Sequence, residues 1–165
     1  MNNQLSFLSK KPEPSTGYCL FTDGAARNNP GPAGAGIFLM NDKKIIFQKG
    51  FFLGHKTNNQ AEYLALIIGL IVLHQLVPSD KTIIIHSDSE LLVKQMNGLY
   101  KVKNPELQQL FRAAYMLSKP LNLQFKHILR TSNKEADALA NHGIETKNAL
   151  PEEYRQVLDE YHINI

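Results

Sequence analysis

The sequence predicts a mixed α/β fold, one sheet with helices packed on it, and three observations carry that reading. Three strand-like segments come first, at 17–22, 34–40 and 44–52, with only short polar or turn-rich joints between them. A long stretch of helical periodicity follows at 57–76. Strand and helix then alternate from 83 to 144, the pattern expected of parallel additions to a sheet.

Gly17 to Thr22 reads as the first strand, ending at Asp23-Gly24 before a turn-rich stretch, Ala25 to Ala33, that holds Asn28-Asn29-Pro30-Gly31-Pro32. Gly34 to Met40 and Lys44 to Phe52 flank Asn41-Asp42-Lys43, a loop of hairpin length, so the first three strands are expected to run antiparallel. In 57–76, Ala61, Leu64, Ala65, Ile68, Ile71 and Val72 recur at spacings of three and four, which predicts a helix with one broad buried face, closed by Pro78. Ile83-Ile84-Ile85 predicts a strand covered on both faces. Helices are then expected from Asp88 to Met96, stopped by Asn97-Gly98, and from Pro105 to Leu117, ended by Pro120. A strand from Leu121 to Leu129 and a helix from Asn133 to Ile144 complete the domain at 17–145. Residues 1–16 read as a flexible leader, and 146–165 as a C-terminal tail with a docking helix from Pro151 to Tyr161.

Composition excludes several classes. At 165 residues, with 43% hydrophobic and 20% charged, the chain matches one soluble globular domain and lacks the polar bias of a disordered one. The longest mostly apolar run, Tyr63 to Leu73, is short of the roughly 20 residues of a membrane span. The N-terminus lacks the basic start and apolar run of a secretory signal, and Cys19 is a lone cysteine; both point to the cytoplasm. Basic charge is concentrated. Between 91 and 134 stand Lys94, Lys101, Lys103, Arg112, Lys119, Lys126, Arg130 and Lys134 against Glu106 alone, which fits a polyanionic partner and equally fits a solvated helix face.

Three predicted helices open with Ser or Thr followed three residues later by Glu or Gln: Thr57 to Gln60, Ser87 to Glu90 and Ser132 to Glu135. Each places an acid near a helix start, Glu62, Asp88 and Asp137, and the fourth acid, Asp23, ends the first strand. The helix dipole alone favours acids at such positions. If the four converge at one sheet edge, their repulsion calls for hard divalent cations, and oxygen-only ligands select magnesium, manganese or calcium.

Four segments, TDGAARNNPGPAGAG at 22–36, TNNQAEYLAL at 57–66, HSDSELLVKQMNG at 86–98 and NKEADALAN at 133–141, together resemble a type 1 ribonuclease H over residues 17–145. The resemblance implies a five-stranded mixed sheet with helices on both faces. It implies an endonuclease that hydrolyses the RNA strand of RNA–DNA hybrids with two Mg2+ ions, Mn2+ being a substitute, and leaves 3′-hydroxyl and 5′-phosphate ends. The acidic quartet carries over to Asp23, Glu62, Asp88 and Asp137. Gly24, Asn29, Asn58, Asn59, Ser89 and Glu90 match substrate-touching positions, Glu90 standing where Gln is common. Two departures are visible. The segment 97–105 joins its helices directly, as in the short branch without a basic protrusion, so grip is expected from Lys101 and Lys103. Only Arg130, Thr131 and Ser132 separate the last strand from Asn133, leaving no histidine-bearing loop. Arg130 and Asn133 are therefore expected to serve the substrate, with Asn133 steering Asp137 or capping its helix. The chain is expected to work as a monomer. A hybrid-binding or partner-binding module with the same fold and little turnover is the alternative.

Other signals carry less. Gly34-Ala35-Gly36 is followed by Leu39 where a dinucleotide-binding motif needs glycine, and no P-loop occurs. The six histidines show no zinc-site spacing. Strand alternation puts His127 on the apolar face with Leu123 and Phe125, which predicts a packed side chain with no part in chemistry.

Overall fold

The structure, a computed structural model, describes residues 17–165. The leader at 1–16 lies outside the described residues. Five strands form one sheet in the order β3-β2-β1-β4-β5. The antiparallel part is β1 (Tyr18–Ala26), β2 (Gly31–Asn41) and β3 (Lys44–Lys56); β4 (Thr82–Ser87) joins β1 in parallel, and β5 (Asn122–His127) joins β4 in parallel. The helices are α1 (Asn58–Leu76), α2 (Glu90–Met96), α3 (Pro105–Ser118), α4 (Lys134–Thr146) and α5 (Glu152–Glu160), with a 3-10 turn at Arg130–Ser132.

The first two strands are longer than their sequence pattern indicates. Asp23, Gly24, Ala25 and Ala26 pair with Gly36, Ala35, Gly34 and Ala33, leaving only residues 27–30 as the turn. These residues are too small to show an apolar alternation, although their backbones pair fully. β3 also runs past Phe52. A bulge on β3 absorbs Leu53 as an extra residue between Phe52 and Gly54, the partners of Gly34 and Ala33, and with Gly54 at φ +71° pairing continues to Lys56.

Helices cover both faces. On one, α1 is buried nearly all round from Tyr63 to Leu73, in place of the single broad face expected, because it is sandwiched between the sheet and α3. On the other, α4 lies across β2 and β3, where Gly36 and Gly50 pair beneath it. The second face of β4 is only partly covered: Ile84 is half-buried and His86 stacks on Phe21 at 4.6 Å. At the C-terminus, Leu150, Tyr154, Leu158 and Ile163 enter the main core, Tyr154 packing edge-on to Phe51. Gln109 Nε2 donates to the carbonyls of Tyr161 and His162, fastening the last turn to α3.

Of the three capping boxes, one forms. Thr57 and Gln60 bond reciprocally at the start of α1. At α2 the cap is Ser89, which accepts from the amide of Leu92, while Ser87 ends β4 and its Oγ accepts from the amide of Ser89. Asp88 is thereby held outside the helix. At α4 the segment Arg130–Ser132 winds as a 3-10 turn, which moves the helix start past Ser132.

Candidate active site

The C-terminal part of β1, the start of α1, the β4–α2 joint and the first turns of α4 meet at one edge of the sheet, around a cleft of about 550 Å³. Asp23 is buried in β1, Glu62 lies one turn into α1, Asp88 follows β4, and Asp137 is on α4. Carboxylate oxygens of Asp23, Glu62 and Asp88 lie within 4.8 Å of one another. Asp137 lines the same cleft and acts electrostatically on Asp23.

Glu62 is held by a backbone amide and Asp137 by neighbouring side chains. Gly24 lies against the backbone of Ala61 and Glu62 so closely that a β-carbon would collide, and its amide donates to Glu62 Oε2 at 3.2 Å. Asp137 is flanked by Arg130 Nη2 at 3.5 Å and by Asn141 Nδ2 at 3.5 Å. Burial is the main force pushing the Asp23 carboxyl up, to about 8, helped by the charges of Asp88 and Asp137. Glu62 is pushed well above its ordinary value, first by burial and then by Asp23 and Asp88. This donor set fits hard divalent cations: it offers oxygen alone, and the crowded carboxylates are held in their charged forms only if positive charge joins them.

The other expected residues divide. Gly24, Asn58, Asn59, Ser89 and Arg130 line the cleft. Asn58 Oδ1 accepts from the amide of Ala26, and Asn29 Oδ1 accepts from the amide of Asn58, so these asparagines lace the 27–30 turn to the start of α1. Glu90 is exposed outside the cleft and pairs with Lys94 at 2.6 Å. Lys101 and Lys103 stand exposed on the α2–α3 connection, away from the acids. Asn133 is a correction: it is fully buried and touches neither cleft nor solvent, and its side chain neither caps α4 nor binds Asp137. Its Nδ2 instead donates to the carbonyl of Thr22 at 3.0 Å, pinning the start of α4 to β1 beside Asp23. His127 is a second correction. It does alternate with Leu123 and Phe125, but Ser87 is its partner at the very end of the β4–β5 ladder, where helical cover has ceased. It is exposed, with Nε2 3.2 Å from the carbonyl oxygen of Asp88. Arg27 and Asn141 also line the cleft, and the sequence pattern singles out neither. Asn141, four residues beyond Asp137 on a helix, was within reach of that pattern.

The sheet order and the carboxylate cleft together define the class: a ribonuclease H-like α/β domain with an acidic site at one edge of the sheet. Residues 21–143 match the family described as Reverse transcriptase-like. The ribonuclease HI of Halobacterium salinarum is 37% identical over 127 residues, which cover 76% of this chain and 63% of that protein. The ribonuclease H of Bordetella avium is 33% identical over 143 residues, covering 76% and 88%. Among solved structures, LC11-RNase H1 in complex with RNA/DNA hybrid superposes with a TM-score of 0.75 at 37% identity, covering 78% of this chain and 97% of that one. The Halobacterium salinarum RNase H1 structure gives a TM-score of 0.74 at 34% identity, covering 78% and 98%. The chain belongs to the type 1 ribonuclease H family. It spans under two thirds of the length of the Halobacterium relative and about a third of a mycobacterial one.

Proposed function

We propose that this protein is an endonuclease that hydrolyses the RNA strand of RNA–DNA hybrids, leaving 3′-hydroxyl and 5′-phosphate ends. The convergence of Asp23, Glu62 and Asp88, with Asp137 on the same cleft wall, carries the reading. These four would hold two magnesium ions, or manganese in their place. When bound, such ions supply the charge that makes an attacking water nucleophilic and stabilises the departing 3′ oxygen. The chain's own part is positional. The Gly24 amide fixes Glu62, Asn133 fixes the approach of α4 to β1, and Arg130, largely exposed beside Asp137, would hold a phosphate oxygen. Asn58, Asn59 and Ser89 supply the polar groups that read a 2′-hydroxyl, the only group that marks RNA at one nucleotide. Among the described residues no helix is long and apolar enough to cross a membrane, and we place the enzyme in the cytoplasm as a monomer.

The test is cleavage of labelled RNA presented in hybrid, in duplex RNA and alongside duplex DNA, each with and without magnesium. Magnesium-dependent cutting confined to the RNA of the hybrid is expected. Hybrid that is bound but left intact would favour the binding-module alternative.

Two further outcomes are expected. The double substitution Lys101→Ala with Lys103→Ala should raise the Kd for hybrid with no sequence preference, and should lower the slope of log K against log salt by about one unit for each phosphate left without its lysine. An unchanged slope would show that the α2–α3 connection does not meet the duplex. His127→Ala should lower turnover by less than about tenfold, below the roughly 100-fold to 10,000-fold of a general acid or base. Its Nε2 lies 3.2 Å from the backbone carbonyl oxygen of Asp88. A loss in the hundreds by a folded variant would give His127 a chemical role.

A further inference from the structure

The cleft is acidic at its centre, yet its proposed substrate is a polyanion, so cations must stand where the strand enters and leaves. Among the described residues lining it, two are cationic: Arg130 and Arg27. Arg130 lies at the N-terminal end of α4, 3.5 Å from Asp137. Arg27 opens the turn between β1 and β2, and its Nη2 bonds Glu145 Oε1 at 2.9 Å in the last turn of α4. Glu145 is eight residues beyond Asp137, about 12 Å along the helix at 1.5 Å per residue. Arg130 thus stands beside Asp137, and Arg27 is tethered about two turns further along the same helix, both lining the one cleft. A separation of that size corresponds to on the order of three nucleotides at about 3.4 Å of duplex axis each.

We propose that Arg27 is a second phosphate-binding residue of this cleft, resting on Glu145 in the free protein and passing to a backbone phosphate of the RNA strand a few nucleotides from the scissile one. This rests on the function proposed above. The backbone of Arg27 is already fixed, since its amide donates to the Pro32 carbonyl at 2.8 Å and Asn29 in the same turn is tied to the amide of Asn58. Its head is not committed. Side-chain exposures of 49% for Arg27 and 60% for Glu145 make this a solvated pair of the kind that holds weakly, and one guanidinium nitrogen makes the bond. A phosphate can take two N–H groups of the fork at once, so exchange from carboxylate to phosphate is favoured when a duplex brings phosphates to the turn. Glu145 then acts as a competitor that keeps the cation in place while the cleft is empty.

The experiment measures hybrid binding by anisotropy across a salt series in an Asp23→Asn background, where cleavage is blocked. Arg27→Ala should raise Kd about fivefold to twentyfold and lower the salt slope by about one unit, as expected when one phosphate is no longer neutralised. Glu145→Gln should lower Kd about twofold to threefold, and the same change should do nothing when added to Arg27→Ala. In steady-state cleavage by the chain with Asp23 intact, Arg27→Ala should act on KM more than on kcat. If Arg27 served only to tie the turn to α4, the two single variants would shift Kd in the same direction and leave the slope unchanged, which would overturn the proposal. Failure of the parent chain to bind or cut hybrid would instead remove the proposed function, so the two readings fall separately.

Discussion

Asp23→Asn is expected to abolish cleavage and, in metal-free buffer at neutral pH, to raise the melting temperature. The amide keeps the shape of the side chain and removes the charge. In the native protein the Asp23 carboxyl is raised to about 8 by burial and by Asp88 and Asp137, whereas in the unfolded chain it titrates near 3.9. Below about pH 4 it is protonated in both states and has no effect on their balance. Between about pH 4 and pH 8 the native state holds a proton that the unfolded state has released, so unfolding is favoured progressively as pH rises. Above about 8 the penalty is complete. The substitution removes this dependence, and a gain on the order of 1 kcal/mol would appear as about 2–4 °C in a protein of this size. Magnesium should reverse the comparison. Ions that bind the native carboxylates stabilise the parent chain by mass action, and the variant, with a weakened site, should gain less. Asp88→Asn should likewise abolish cleavage without unfolding the protein, because its carboxylate belongs to the same three-acid cluster. The measurements are a pH series of thermal melts with and without magnesium, together with the hybrid cleavage assay. Cleavage near the parent rate by either variant would remove the carboxylates from the mechanism, and a flat difference in melting temperature between pH 4 and pH 8 would remove the electrostatic account of the cluster.

The positions of the acids were legible because local chemistry marks each one: Asp23 where the apolar run of the first strand gives way to small residues, Glu62 behind the Thr57 cap, Asp88 between strand and helix, Asp137 in the first turn of α4. What could not be read locally was decided by partners far along the chain. Ser87-Asp88-Ser89-Glu90 supports two capping registers, and the parallel pairing of β4 with β5, which carries Ser87 to its last rung opposite His127, leaves only Ser89 free to cap. Asn133 resembles a helix cap in sequence; its actual partner is a carbonyl 111 residues earlier. His127 shows the limit of alternation, which gives the face of a strand but not where the helices covering that face end. Arg27 is hidden for the same reason, since nothing near it in sequence reveals that Glu145 and the acidic cleft lie beside it.

Gly36→Ala is expected to destabilise the protein and to cost most of its activity, although the residue touches no substrate. Gly36 pairs with Asp23 across the β1–β2 ladder, so it lies on the strand face over which α4 passes. A β-carbon there would run into the carbonyl of Ala136 and stand 2.7 Å from the amide nitrogen of Ala140. Both obstacles are helical backbone, which cannot swing aside as a side chain can. The helix as a whole would have to lift. Overpacking of this kind costs about 1–3 kcal/mol, or roughly 2–4 °C in melting temperature per kcal/mol. The consequence for the site follows from the geometry: Asp137 is carried by α4 one residue after Ala136, and the bond from Asn133 to the Thr22 carbonyl sets its distance from Asp23. Raising α4 stretches that bond and draws Asp137 away from the other acids. Gly69→Ala is the matched comparison. There the new β-carbon meets methyl groups of Leu20 at 2.9 Å and Thr22 at 3.0 Å, side-chain atoms that can give way, and a helix interior gains about 1 kcal/mol when alanine replaces glycine. Its stability should stay near that of the parent and its activity should persist. Thermal melts and hybrid cleavage of the two variants, run together, decide the matter: equal stability for both, or full activity in Gly36→Ala, would mean that the close approach of α4 to the sheet does not set the position of Asp137.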